Sequence, residues 1–317
     1  MDLHPRLLRV FVAVAEDLHF GRAAARLFVA QQALSRDVRT LEKQLGVALF
    51  TRSTRHVELT EAGARLLPLA RRALGAHDDL VAEVAGVVRP LLIDLNSPGR
   101  ALPPALTRAR ELAPQLEFLA RFHGGLAAGG EAMLAGRLDV SFGRFAGLAA
   151  ALRNRLAHQP VRLAPLAVWV PERHPLAALG EVPMRTLADH PLDVMAGNPA
   201  TTEWTDLGRA LAAEFGLDLA APHAPPVGED EMGHYLGRHG EPVLSSLGGP
   251  SIPGAVLLPL VDPVPLTVVS VVHVKGLSHP GLAVLMTALA EVGRTERWMR
   301  RPAGSWLPEP DELLLRV

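Results

Sequence analysis

Apolar residues near the start of the chain recur at helical spacing. Leu3, Leu7, Val10, Phe11, Val14 and Leu18 form one face of a first helix, which 17–21 interrupts. The alanine-rich stretch 22–27 reads as a short second helix whose small side chains allow close packing. A third helix begins near Gln31. Leu34, Val38, Leu41 and Leu45 lie at i, i+4, i+7 and i+11 along it, and Gly46 follows as a stop. Two short apolar runs, 47–52 and 57–59, flank a polar turn and predict a β-hairpin. Thr60 is suited to cap a further helix and Glu61 to its positive end. From Glu61 to about Val88 no turn cluster occurs. Ala62, Leu66, Leu69, Ala73, Leu80, Val84 and Val87 approximate one long stripe, with Pro68 expected to bend it.

Pro90 marks a change of pattern. The reading is strand at 91–95, helix at 101–112, strand at 116–122, helix at 126–135 and strand at 138–142. The alternation resumes with strands at 161–170 and 192–196, a helix at 204–215, strands at 242–246 and 266–274, and a helix at 281–292. Apolar runs alternating with helical patterns predict α/β units around a mostly parallel sheet. The last stretch, with Trp298, Trp306 and a proline-rich acidic end, gives no pattern to read.

Polar positions give the first helices their chemistry. On the third helix Gln32, Ser35, Arg36 and Arg39 share one arc opposite the apolar stripe, with Gln31 at the helix tip. Amides, a hydroxyl and guanidiniums are the groups that read base edges and clamp phosphates, and no acid lies in the arc. Arg52 and Arg55 at the hairpin tip are placed to reach a phosphate backbone. A solvated polar face is the plain alternative.

Composition limits the class. The 317 residues exceed one ordinary core, so two or three folding units are expected. The formal net charge of −1 excludes a protein that coats nucleic acid over its whole surface, but allows a small DNA-reading domain joined to a neutral one. With no cysteine, a disulfide framework, a thiolate metal site and a cysteine nucleophile are excluded. No signal-peptide order opens the chain and no apolar run is long enough to span a membrane, so a soluble, cytoplasmic protein without membrane partners is expected.

The residues Phe11-Val12-Ala13-Val14-Ala15-Glu16, Phe20-Gly21-Arg22-Ala23-Ala24, Ala33-Leu34-Ser35-Arg36, Leu41-Glu42, Leu45-Gly46, Leu49-Phe50, Arg52 and Leu59-Thr60-Glu61-Ala62-Gly63 together resemble the DNA-binding domain of LysR-type transcriptional regulators. Three positions depart from the usual pattern: Ala30 where a serine cap is common, Gln32 where proline is common, and Gly21 where serine or threonine is common. Gly136-Arg137-Leu138-Asp139-Val140 and His174-Pro175-Leu176 resemble the effector domain of the same family.

The resemblance implies a winged helix-turn-helix at 1–60, with the helix-turn-helix motif at about 20–39. It implies a linker and dimerisation helix at 61–89, and an α/β effector domain at 90–300 of type 2 periplasmic-binding-protein form in two subdomains. A tail remains at 301–317. The DNA-binding residues expected are Arg22, Gln31, Gln32, Ser35, Arg36, Arg39, Arg52 and Arg55. A helix as long as 61–88 cannot bury its stripe alone, so a second copy is the expected partner, as homodimer or homotetramer, with packing on its own chain as the alternative.

In such a fold the ligand lies between the halves. Ser97 and Arg100 follow the first strand, and Thr201 and Thr202 hold the corresponding place in the second half. Hydroxyls and helix-start N–H groups suit a small organic anion such as a carboxylate, while helix capping by Ser97 and Thr202 is the plainer reading. No catalytic, metal or cofactor motif accompanies these sites: there is no P-loop, GxGxxG or GxSxG. His234 and His239, near Glu229, Asp230 and Glu231, read as a solvated helix. The alternative function is an α/β ligand-binding protein or enzyme with a vestigial helix-turn-helix.

Overall fold

The computed structural model describes residues 3–52, 56–85, 88–95 and 102–316. The chain divides into two compact units, one of Met1–Arg89 with Leu134–Arg137, the other of Pro90–Met133 and Leu138–Val317.

The first unit contains α1 (Pro5–Asp17), α2 (Phe20–Arg26), α3 (Gln31–Leu45), the hairpin β1 (Phe50–Arg52) and β2 (Val57–Leu59), and α4 (Glu61–Ala85). Pro5 occupies the first turn of α1, where its missing N–H costs nothing, and the His4 ring accepts the Arg6 N–H. Leu34, Val38 and Leu41 of α3 are fully buried against Val10, Phe11 and Val14 of α1. Gly46 then ends α3 at φ 70°, a conformation that penalises a Cβ. Glu42 turns back to accept the Leu49 and Phe50 N–H groups at 2.9 and 3.2 Å, fixing where the hairpin leaves the helix. Phe50 packs edge-on against both Phe11 and Phe20. Thr60 caps α4 by accepting the Gly63 N–H at 3.0 Å. Arg71 of α4 and Arg26 of α2 both bind Glu16 at 2.8 Å, which fastens α4 to α1. Burial pushes the Glu16 carboxyl up, but the two guanidiniums outweigh it and hold the group below the ordinary carboxylate range.

The second unit contains β3 (Leu91–Asp94), α5 (Leu102–Leu112), β4 (Phe118–Arg121), α6 (Leu126–Leu134), β5 (Val140–Gly143), α7 (Ala150–Arg153) and β6 (Leu156–Pro171). There follow β7 (Val182–Pro183), α8 (Met184–Leu187), α9 (Thr202–Phe215), α10 (Glu229–His239), β8 (Val243–Ser246), β9 (Ala255–Val261), β10 (Leu266–Val274), α11 (Pro280–Thr295) and α12 (Glu309–Leu315). Strands are hydrogen-bonded in the order β4-β3-β5-β10-β6-β9-β7, and β8 also pairs with β6.

The sheet is not mostly parallel. Among the named strands of the described residues, parallel pairing occurs in β3–β4, β3–β5 and β7–β9, while β6 runs antiparallel to β8, β9 and β10, and β10 antiparallel to β5. The long strands explain this. One hydrophobic core gathers Leu91, Ile93, Phe142, Val271 and Leu285 with Ala164 of β6; another gathers Leu207, Leu211, Leu244 and Leu258 with Leu166 and Val168 of the same strand. A strand that serves both cores is met by a second long strand, β10, running the other way.

The expected strand at 192–196 is reduced to single bridges, Leu192 to Leu219 and Asp193 to Val243. The strand β9, which contains Pro259, has no counterpart in the sequence reading. The C-terminal stretch is folded: Trp306 packs on Phe215 and exchanges backbone hydrogen bonds with Val264 and Leu266. No helix among the described residues is long and apolar enough to cross a membrane.

Candidate nucleic-acid interface and effector segments

The exposed side of α3 carries Gln31 and Gln32 in its first turn, then Arg36 and Arg39, all open to solvent, with Ser35 half-buried between them. Neither Arg36 nor Arg39 is paired with an acid among the described residues. The nearest acid, Asp37, is engaged by Arg6 of α1, whose Nη2 lies 2.8 Å from Oδ2. The helix start has no side-chain cap, because Ala30 occupies the N-cap position. Its first N–H groups therefore stay unclaimed by a cap and its positive end faces outward. Arg22 is exposed on α2 and donates from Nη2 to the Asp17 carbonyl at 2.5 Å. Arg52 pairs with Val57 in the hairpin. The side chain of Arg52, and all of Arg55, lie outside the described residues.

The effector segments are described in part. Ser97 and Arg100 lie outside the described residues. Thr201 ends a 3-10 turn, Pro199–Thr201, and Thr202 is the first residue of α9. The N-cap position of α9 falls to Thr201, which makes no side-chain capping bond, so Thr202 is not the cap. Thr202 is exposed and its hydroxyl has no partner among the described residues. Thr201 packs on Gly125: a Cβ there would lie 2.2 Å from the Ala200 oxygen and 2.4 Å from the Thr201 methyl. Only glycine allows the two segments to approach so closely.

Sequence reasoning missed the acid beside them. Glu203, in the first turn of α9, is buried. Its two carboxylate oxygens accept the Leu126 N–H at 2.9 Å and the Ala127 N–H at 3.2 Å, at the start of α6. Burial raises its pKa, against the opposing pull of these bonds and of the Arg144 charge. Arg144 is also buried. It donates to the Glu203 carbonyl at 3.2 Å, to Asp206 at 2.5 Å and to Asp311 of α12 at 2.8 Å. The only local signal for Glu203 was its place directly after the two threonines.

A second polar group lies around Asp193. The buried carboxylate receives the Tyr235 hydroxyl at 2.8 Å and faces the His223 Nε2 at 2.9 Å, while His223 Nδ1 faces the Ala224 carbonyl at 2.8 Å. His239 stacks on Tyr235. These contacts tie α10 to the strand bridges at 192–193 and are structural.

The two units match the two halves of one family. A model of the bacterial regulatory helix-turn-helix protein, lysR family, matches residues 5–64, and the LysR substrate binding domain matches residues 96–223. The HTH-type transcriptional regulator YnfL of Escherichia coli is 33% identical over 243 residues, 74% of this chain and 77% of the relative. The chain belongs to the LysR family of bacterial transcriptional regulators. XapR of Escherichia coli, an HTH-type transcriptional regulator, is 36% identical over 64% of this chain and 69% of its own length. Among solved structures, the LysR-family regulator CbnR superposes with a TM-score of 0.65 at 22% identity, covering 92% of this chain and 99% of that one. A full-length OxyR variant of Pseudomonas aeruginosa gives 0.63 at 20% identity, covering 92% and 95%. This LysR-family chain is thus a DNA-binding transcriptional regulator with an effector-binding domain.

Proposed function

We propose that this regulator reads its operator by placing the start of α3 in the major groove. Gln31, Gln32 and Ser35 contact base edges there, Arg36 and Arg39 contact bases or flanking phosphates, and Arg22, Arg52 and Arg55 grip the backbone on either side. The observation that carries this reading is the α3 face itself, which offers two exposed amides and two guanidiniums without an acidic partner among the described residues, while Arg6 holds its nearest acid. Full-length CbnR, which shares the fold, has been crystallised with its target DNA.

The protein acts in the cytoplasm as a homodimer, or a tetramer built from dimers, joined through α4. A small organic anion, a carboxylate, binds between the segment holding Ser97 and Arg100 and the segment holding Thr201 and Thr202. Glu203 does not repel it strongly, because both of its oxygens are already engaged by N–H groups. The ligand shifts the regulator only by its difference in affinity for the two states.

Band shifts on the promoter region of the protein's own gene test the DNA reading. Gln31→Ala or Gln32→Ala relaxes base preference by about 1–3 kcal/mol where the amide is bidentate. Arg52→Ala or Arg55→Ala weakens all sequences alike and flattens the salt dependence. Wing variants that change base preference while helix variants do not would overturn the assignment. A thermal-shift screen of small carboxylates on the full chain finds the effector, and Thr202→Val and Ser97→Ala then weaken it without touching basal DNA binding.

A further inference from the structure

We propose that the second unit carries an additional binding site for an amphipathic organic anion, in a cavity of about 400 Å³ between the start of β6 and α11. Its lining includes neither Thr201 nor Thr202, and it rests on none of the readings above. Val161, Met286 and Leu289 give the cavity an apolar wall. The volume is in the range of small-ligand sites, which pair such walls with a few convergent polar groups.

Here the charged groups of the lining are all of one sign, beside the neutral Gln159. Arg294, Arg297 and Arg300 line the same cavity, and none is paired with an acid among the described residues. Arg297 holds its place at φ 54°, a left-handed conformation that is costly for a side chain of this size. Arg162, the next residue on β6 but not part of the lining, lies half-buried over the Trp298 ring at 5.9 Å, its buried Nη1 without a hydrogen-bond partner among the described residues. Three lining guanidiniums beside apolar surface, none held in an ion pair among the described residues although Glu296 acts on Arg162 from nearby, fit a ligand with an anionic head and an apolar body. The planar fork of arginine matches a carboxylate in particular.

Octanoate is the probe, with octanol as a neutral analogue of equal length and acetate as a head group without a tail. Calorimetry on the full chain should show octanoate binding at one site per chain, at least tenfold tighter than octanol or acetate. Ala290→Trp, at an exposed position on the lining, should fill the cavity and abolish binding. Arg294→Gln with Arg297→Gln should weaken it at least tenfold. Thermal melts of the free variants, unchanged from wild type, show that these surface substitutions leave the fold intact. Absence of octanoate binding, equal affinity for octanol, or octanoate affinity untouched by both variants overturns the proposal.

Discussion

Arg144 and Asp311, 167 residues apart in sequence, meet at 2.7 Å with 2% and 0% of their side chains exposed. The pair ties α12 to the turn after β5, so α12 belongs to the folded unit. Breaking one partner of a buried pair strands the other charge, at about 3–5 kcal/mol. Arg144 retains Asp206, so the lower end is expected. Asp311→Ala should therefore lower stability by about 3 kcal/mol in urea unfolding. A loss within experimental error would mean that α12 merely rests on the surface.

Glu203 adds a pH dependence of unusual sign. Its folded pKa is raised, mainly by burial, so the native state holds the proton more tightly than the unfolded chain. Stability is then greatest below the unfolded pKa and falls as pH rises through the folded value. Asp311, also raised by burial, acts in the same direction, and the charged groups facing the site are Arg144 and Asp206. Glu203→Gln should cost about 1–3 kcal/mol at low pH, because the amide cannot accept both N–H groups. It should also flatten the decline as pH rises above the ordinary glutamate range. Urea midpoints that fall in parallel for wild type and variant across that range would rule out Glu203 as a source.

The face of α3 was readable from sequence because every residue that defines it lies within one helix: Leu34, Val38 and Leu41 turn inward and leave Gln32, Arg36 and Arg39 outside. Glu203 and Arg144 were not, since their partners lie 77 and 167 residues away and no period connects them. The long strands β6 and β10 were visible as β-branched apolar runs, but composition does not carry pairing direction, and the sheet came out largely antiparallel at its centre. On α4 the stripe is one face by angle, but its burial changes along the helix. Leu66 packs into its own unit's core, whereas Leu69 and Leu80 are exposed.

Arg6 has a role in DNA binding without touching DNA in the proposed pose. Its ion pair with Asp37 is 65% exposed on the arginine side and adds at most about 1 kcal/mol to stability. Its larger effect is to cancel a negative charge beside the phosphate-facing surface. Arg6→Ala should weaken operator binding more at low salt than at high salt, and Asp37→Asn should restore it in the double variant. If the double variant binds no better than Arg6→Ala, then Arg6 acts by direct contact instead.

The self-association surface follows from the exposed half of α4. Leu69 is 47% exposed, Leu80 66% and Val84 86%, on a helix whose other side is fastened to α1 through Arg71 and Glu16. At 100° per residue, Leu80 falls roughly 20° from Leu69 around the axis, and Val84 roughly 40° further, so the three form one stripe. A second copy of the same stripe would cover it by a two-fold contact. Leu80→Asp with Val84→Asp places charges in that seam at a cost of several kcal/mol, yet both positions are free of the unit's own core. The variant should fold, sediment at a lower mass than wild type, and lose affinity for paired half-sites far more than for a single one. Leu66→Asp serves as the contrast, since it should destabilise the first unit itself. Unchanged mass in the Leu80 and Val84 double variant would place the association surface elsewhere on the chain.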